Sequence, residues 1–229
     1  MTYYQAIYFI ELFFGLVLIQ QSLEHLKTDD STKLLFIIRT FFALLLAFHV
    51  FTIYVLLLIF LCNVFLLWKF RGPYNGGADR LGLLILFCLI ITHLAPTQYW
   101  KEVVLGYLAL QLVLSYFMAG WVKLCNPEWR SGRALQDVFQ FSAYPSSEAL
   151  RELIKFPKIL FIASWIIIFL ELIFPLSLFS QSSLILALIL MACFHLANAY
   201  LFGLNRFFWI WLSAYPSLLW LQMRLSFII

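Results

Sequence analysis

The chain alternates between long apolar runs and short polar interruptions. Eight apolar segments of 15 to 22 residues are separated by clusters of charged residues, glycine, proline and asparagine. Runs of this kind are typical of helices that cross the hydrocarbon core of a bilayer, which is about 30 Å thick. The predicted spans are Tyr3–Ser22, Leu34–Phe48, Phe51–Trp68, Leu81–Ala95, Glu102–Ala119, Lys158–Phe179, Ser183–Gly203 and Arg206–Phe227.

One boundary among these spans depends on length alone. Residues Leu34 to Trp68 are apolar for 35 positions, and a single helix of that length would measure about 52 Å. Two short spans that reverse near His49-Val50 would fit a bilayer better. No glycine or proline marks the reversal, so a single kinked helix that projects from the membrane is the alternative. The pattern therefore predicts eight spans, with seven as the other possible count.

The longest polar region, residues 126–157, mixes charged residues with aromatic ones. That mixture is typical of amphipathic helices that lie at a membrane interface. The sequence therefore predicts an all-α fold, a polytopic membrane helix bundle of about eight spans, with interfacial helices in this region at the mouth of the bundle. We expect residues 1–229 to form a single transmembrane domain.

Composition supports the membrane assignment. The chain is 64% hydrophobic and 11% charged, with a mean hydropathy of +0.96, which excludes an ordinary soluble domain. The net charge of +4 comes from short loops, so it bears on topology and lipid head groups and predicts the lipid bilayer, not nucleic acid, as a partner. The four cysteines contain no C-x-x-C pair, and no metal site is expected.

Seven ionisable residues lie in or beside the apolar runs. In a membrane segment such residues indicate a functional site by default, with an internal ion pair or a hydrogen-bonded helix contact as the alternative. Asn198 follows His195 by three positions and lies on the same helical face. The seven are Glu11, Arg39, His49, His93, Lys123, Glu171 and His195.

Lys123 has two possible roles. It follows an apolar run and precedes the turn signal Asn126-Pro127, so it can extend to water as a membrane anchor. It can also lie in a dry, aromatic-lined pocket, where loss of hydration disfavours the ammonium form and makes the amine a usable base. The position of Lys123 alone is compatible with both.

The residues around Lys123 resemble a known family. Ala119-Gly120-x-x-Lys123-Leu124, followed by Trp129-x-x-Gly132, is similar to the active-site lysine segment of vitamin K-dependent gamma-glutamyl carboxylase and of the wider horizontally transferred transmembrane (HTTM) domain superfamily. Three more stretches agree in order along the chain. They are Tyr74-Asn75-Gly76-Gly77-Ala78-Asp79, Glu171-Leu172-Ile173-Phe174-Pro175, and Phe194-His195-Leu196 with Gly203-Leu204-x-x-Phe207.

This resemblance implies a mechanism. A lysine, here Lys123, deprotonates a reduced quinone, whose reaction with oxygen generates a base strong enough to remove a glutamyl proton before carbon dioxide is captured. Glu171 and His195 would be polar partners that set the charge of Lys123. Four further residues would bind the quinone, and Asn75 among them would be an oxyanion or cofactor donor. The other three are Trp121, Trp129 and Asn198.

The resemblance also has departures. Gly76 stands about where the carboxylase has a functional histidine, and this departure counts against carboxylation as the reaction. The compact chain is closest in size to membrane proteins that resemble sporulation-delaying protein B, which accompany secreted toxin peptides. We therefore expect an enzyme or enzyme subunit in a bacterial cytoplasmic membrane that modifies a secreted peptide, with a partner protein that supplies the substrate-binding surface. The alternative is a non-catalytic membrane partner or immunity-type protein that binds such a peptide.

Overall fold

A computed structural model describes residues 1–26, 32–69, 77–141 and 148–226, and these residues are almost entirely helical. The all-α fold class is confirmed. The helices are α1 Tyr3–His25, α2 Lys33–Ala47, α3 Thr52–Lys69, α4 Gly77–Leu94, α5 Gln98–Cys125, α6 Pro127–Arg130, α7 Arg133–Phe141, α8 Pro157–Ile173, α9 Gln181–Phe202 and α10 Asn205–Ser226, with 3-10 helices at Glu148–Lys155 and Phe174–Phe179.

Each of the eight predicted spans is present as a helix, and six are long and apolar enough to cross a membrane. Helix α2 does not qualify because its 15 residues reach only about 22 Å. Helix α10 has the length, but it is outside this set because it carries more polar residues. The six are Tyr3–His25, Thr52–Lys69, Gly77–Leu94, Gln98–Cys125, Pro157–Phe179 and Gln181–Phe202.

The reversal near His49-Val50 is confirmed, and its geometry explains how it forms without glycine or proline. Helix α2 ends at Ala47 and α3 begins at Thr52, and the two helices pack against each other. Between them His49 and Phe51 have φ angles of 55° and 50°. Residues with side chains rarely adopt this left-handed conformation. It costs about 1–3 kcal/mol, which other contacts must offset. The alternative of one kinked helix is wrong.

The chain divides into two compact units. The first contains residues 1–109 and 209–221, and the second contains residues 110–208 and 222–229. In the first unit α1 packs on α2, α2 on α3, and α3 on α4. Gly15 of α1 lies where a Cβ atom would be 2.9 Å from the backbone oxygen of Ala43 and 3.1 Å from Ala47. Glycine at this position therefore permits the close approach of α1 and α2.

The first unit also has an apolar groove of about 680 Å³ between α1 and the part of α10 around Pro216. Its walls include Phe9, Phe13 and Leu16 of α1 and Trp209 of α10. Volume and lining are typical of a site for an apolar molecule or a lipid chain.

In the second unit, the short helices after α5 pack on α8. Their place at a membrane interface stays a prediction. Asn126 caps α6 by accepting a hydrogen bond from the backbone N–H of Glu128, and Pro127 occupies the first helical position. Leu135 and Phe139, one turn apart on α7, are buried against Leu160 of α8. This arrangement buries one face of α7 and leaves its charged residues exposed.

Helix α8 changes its form at the residues that resemble the family's acidic-to-proline segment. It runs from Pro157 to Ile173 and continues as the 3-10 helix Phe174–Phe179. Pro175 has no N–H and cannot make the regular helical hydrogen bond, so the tighter 3-10 form follows. Glu171 therefore lies in the last regular turn of α8.

We expect Gly15→Ala to destabilise the first unit. The new methyl group would meet backbone atoms of α2, and overpacking costs about 1–3 kcal/mol, which exceeds the gain of about 1 kcal/mol from the better helix former. The unfolding temperature in detergent should fall. The matched control is Gly106→Ala, where the nearest atom, on Trp220, is 3.8 Å away. Equal or higher stability of Gly15→Ala would contradict the packing described here.

Candidate functional site

The candidate site begins on α5, which extends further than the hydropathy pattern predicts. The apolar run suggests a helix end near Ala119, whereas α5 continues to Cys125. Lys123 therefore lies in the last helical turn and not beyond the helix. Its amine is within 3.4 Å of the backbone oxygen of Ala119, one turn back. The side chain is folded onto the helix, and 17% of it is exposed.

Lys123 forms an ion pair with Glu171 of α8. Its Nζ atom donates to both carboxylate oxygens, at 2.9 and 2.6 Å. Only 4% of the Glu171 side chain is exposed. Charges this deeply buried are stable when they are paired and hydrogen-bonded, because a lone charge in apolar surroundings costs several kcal/mol. The amine is thus directed to an internal partner, and this contact is the internal ion pair expected as the alternative to a functional site.

Gly120 allows this contact. It lies one turn before Lys123, and a Cβ atom there would be 2.7 Å from the backbone nitrogen of Leu172 and 2.9 Å from the Cβ of Glu171. No side chain fits in that space. Because Gly120 has none, α5 and α8 approach closely enough for the amine to reach the carboxylate.

Trp129 of α6 covers the other side of the amine. The centre of its ring lies 5.3 Å from Nζ of Lys123, within the range of a cation–π interaction. Two hydrogen bonds from α8 hold this segment in place: the Ser164 hydroxyl donates to the backbone oxygen of Trp129 at 2.6 Å, and the Trp165 indole N–H donates to that of Arg130 at 3.1 Å. The predicted turn and tryptophan are therefore held beside Lys123.

A second polar contact joins α5 and α9. The hydroxyl of Tyr116 and Nε2 of His195 are hydrogen-bonded at 2.9 Å, and both residues are 2% exposed. The rings of Phe174 and Phe207 pack against this pair, with centroid distances of 4.4 Å to Tyr116 and 5.1 Å to His195.

The comparison with protein families bears on these residues. The model of the HTTM domain matches residues 91–222, more than half of the chain. The chain belongs to the HTTM domain family. The HTTM domain is a domain of vitamin K-dependent carboxylase-related membrane proteins, and the chain is an integral membrane protein by its family and its apolar helices. No curated protein and no solved structure matches the chain. The closer likeness to sporulation-delaying protein B stays a prediction, as does a single domain over residues 1–229.

The HTTM segment includes most of the predicted site residues, and the structure brings some of them together. Lys123, Glu171 and Trp129 are in direct contact. Trp121 is half-exposed and stacks on Phe117. Because it is two positions from Lys123, it lies on another face of α5.

The other two predicted cofactor residues are Asn198 and Asn75. The backbone oxygen of Asn198 accepts from the N–H groups of Gly203 and Leu204 and so ends α9. Asn75 lies outside the described residues and outside the HTTM match.

Two residues of the site were not predicted from the sequence. Tyr116 and Gly120 both lie on the face of α5 that carries Lys123, because the three are separated by four and three positions. This helical spacing, counted back from Lys123, is the signal that identifies them. Among the described residues, no group of three histidine, cysteine, aspartate or glutamate side chains could hold a metal ion.

We expect Lys123→Met and Glu171→Gln each to lower the stability of the protein, by about 3 kcal/mol, because each leaves one buried charge alone. The double variant leaves none and should be more stable than either single variant. Equilibrium unfolding in detergent measures all three against wild type. Additive losses in the double variant would contradict a direct interaction between the two side chains.

Proposed function

We propose that this HTTM domain protein is a membrane enzyme, or the membrane subunit of one, that modifies a secreted peptide with Lys123 as the base. The supporting observation is the buried contact of the Lys123 amine with both oxygens of Glu171. A base must first lose its own proton. The carboxylate 2.6 Å away is a direct acceptor for it.

The pair can shift between two states of equal net charge. Transfer of one ammonium proton to Glu171 leaves a neutral amine and a carboxylic acid. Apolar surroundings disfavour charged groups, so the cost of reaching the neutral state is smaller here than in water. The amine of Lys123 then accepts a proton from an acidic O–H group of the bound molecule. The resulting ammonium stabilises the oxyanion that it has created.

The aromatic ring beside Lys123 supports a reduced quinone as the cofactor of this proposal. The ring of Trp129 lies beside the amine, and tryptophan stacks readily on planar rings. Such a quinone, when bound, would supply the redox chemistry of the modification. Lys123 would take its hydroxyl proton, Trp129 would hold its ring, and Glu171 would store the proton released by the amine.

The Tyr116–His195 pair supports the same proposal. The two side chains are buried and bonded to each other, so each holds the other in one orientation. Tyr116 lies two turns before Lys123 on the same face of α5. We assign Tyr116 and His195 a positioning role that stabilises one charge state of Lys123.

The peptide substrate and the setting are part of the proposal. Proteins that resemble sporulation-delaying protein B accompany secreted toxin peptides, and we place this protein in a bacterial cytoplasmic membrane in a similar role. A partner protein would supply the surface that binds the peptide. The alternative function is a non-catalytic partner or immunity-type protein, in which the Lys123–Glu171 pair only connects α5 and α8.

Lys123→Arg separates catalysis from structure. Arginine keeps the positive charge and can pair with Glu171, but it does not deprotonate in proteins. We expect the peptide modification to fall at least about 100-fold with little change in unfolding temperature. The measurement is mass spectrometry of peptides secreted by cells that express wild type or the variant, with Lys158→Arg, an exposed lysine, as the matched control.

The mass difference in that experiment identifies the reaction. A gain equal to carbon dioxide indicates carboxylation, and a loss of two hydrogens indicates oxidation. Full modification in Lys123→Arg would contradict a role of Lys123 as the base. Identical peptide spectra with and without the wild-type protein would favour the non-catalytic alternative.

A further inference from the structure

A second cluster of ionisable side chains lies in the first compact unit. Glu11 of α1 accepts from His49 Nδ1 at 2.9 Å on one carboxylate oxygen and contacts His93 Nε2 at 2.5 Å with the other. The two histidines come from the α2–α3 turn and the last turn of α4. Glu11 therefore connects three segments that are far apart in the sequence.

Burial in the cluster is uneven. The Glu11 side chain is 4% exposed, whereas those of His49 and His93 are 24% and 32% exposed. The histidines thus lie between the buried carboxylate and the surface of the unit. In membrane proteins, chains of glutamate and histidine with this arrangement carry protons.

The position of the histidines places them near a membrane interface. Both lie where helices end, and exposed aromatic residues occur at the same end of the unit, at the starts of α1, α3 and α5. Aromatic residues of this kind are enriched at the boundary between lipid and water. They are Tyr4, Tyr54, Tyr99 and Trp100.

One added proton would balance the charges of the cluster. With Glu11 ionised and both imidazoles neutral, the cluster has a net charge of −1, which is costly among apolar helices. One added proton makes it neutral. Arg39 does not compensate this charge, because it bonds to Ser22 and Asn63, and Ser22 is roughly 16 Å from Glu11 along α1.

A tyrosine is a further titratable group in contact with the cluster. Tyr8 stacks on the ring of His49 with a centroid distance of 4.3 Å. A phenol carries no positive charge, so Tyr8 does not oppose the uptake of a proton.

His49 lies in a left-handed turn. Its φ is 55°, a conformation in which histidine, like asparagine, is found several times more often than other residues with side chains. A histidine there is held by its bond to Glu11 and its stacking on Tyr8. Glu11 and His49 also lie outside the segment matched by the HTTM model, so the cluster combines His93 of that segment with residues beyond it.

We propose that Glu11, His49 and His93 form a proton-binding centre that takes up one proton at the interface and shares it between the two imidazoles. Uptake forms one N–H bond on an imidazole and removes one proton from water, and no electrons move. The centre is independent of the reaction proposed for Lys123.

The test is a pH titration of the four histidines by nitrogen-15 NMR, on the full-length protein in detergent or lipid nanodiscs. A shared proton predicts that His49 and His93 each titrate in two steps, since each reports both protonation events of the pair. In Glu11→Gln, the affinity of both histidines for a proton should fall at least about tenfold, because a negative charge within hydrogen-bond distance is lost.

Two features keep this test decisive. His25 and His195 serve as internal controls, and their unchanged signals show that each variant is folded. His49→Asn tolerates the left-handed turn and removes one site, so the two-step titration of His93 should become a single step. Independent single-step titrations of His49 and His93 in wild type would overturn the proposal, as would proton affinities that do not change in Glu11→Gln.

Discussion

The contact between Lys123 and Glu171 is the interaction on which the candidate site depends. An ammonium and a carboxylate buried among apolar helices must be paired, since an isolated charge there costs more than most other contacts can offset. The pair therefore fixes α5 against α8 at one register. Gly120 leaves the room for that approach, and the hydrogen bonds from α8 to the backbone around Trp129 cover the amine.

The same constraint acts in the first compact unit. Glu11 is bonded to His49 and His93, and Arg39 to Ser22 and Asn63, so these buried charges connect segments distant in sequence. Apolar side chains fill the space between helices but do not select one arrangement as strictly, because many apolar contacts have similar energies. Polar pairs add the specificity that a uniformly apolar helix surface lacks.

Much of this organisation could be predicted from the sequence. Length and hydropathy indicate the helices, and an ionisable residue in an apolar run stands out, which is how Lys123, Glu171 and His195 were selected. Their partners could not be predicted, because helix pairing depends on packing that no local pattern encodes. Tyr116 is a case in point: an aromatic residue in an apolar helix is ordinary until His195 is seen beside it. Hydropathy underestimates the length of α5 because a lysine is typical of a helix end, although Glu171 pairs with this lysine inside the fold.

The most direct test of the account is the distance between Lys123 and Glu171 in a lipid bilayer. Solid-state NMR on protein with nitrogen-15 lysine and carbon-13 glutamate carboxyl groups measures such contacts. The account predicts a short lysine–glutamate contact, with Nζ within hydrogen-bond distance of the carboxylate, that disappears from the spectrum in Lys123→Arg. A lysine–glutamate spectrum that is the same for wild type and Lys123→Arg would contradict it.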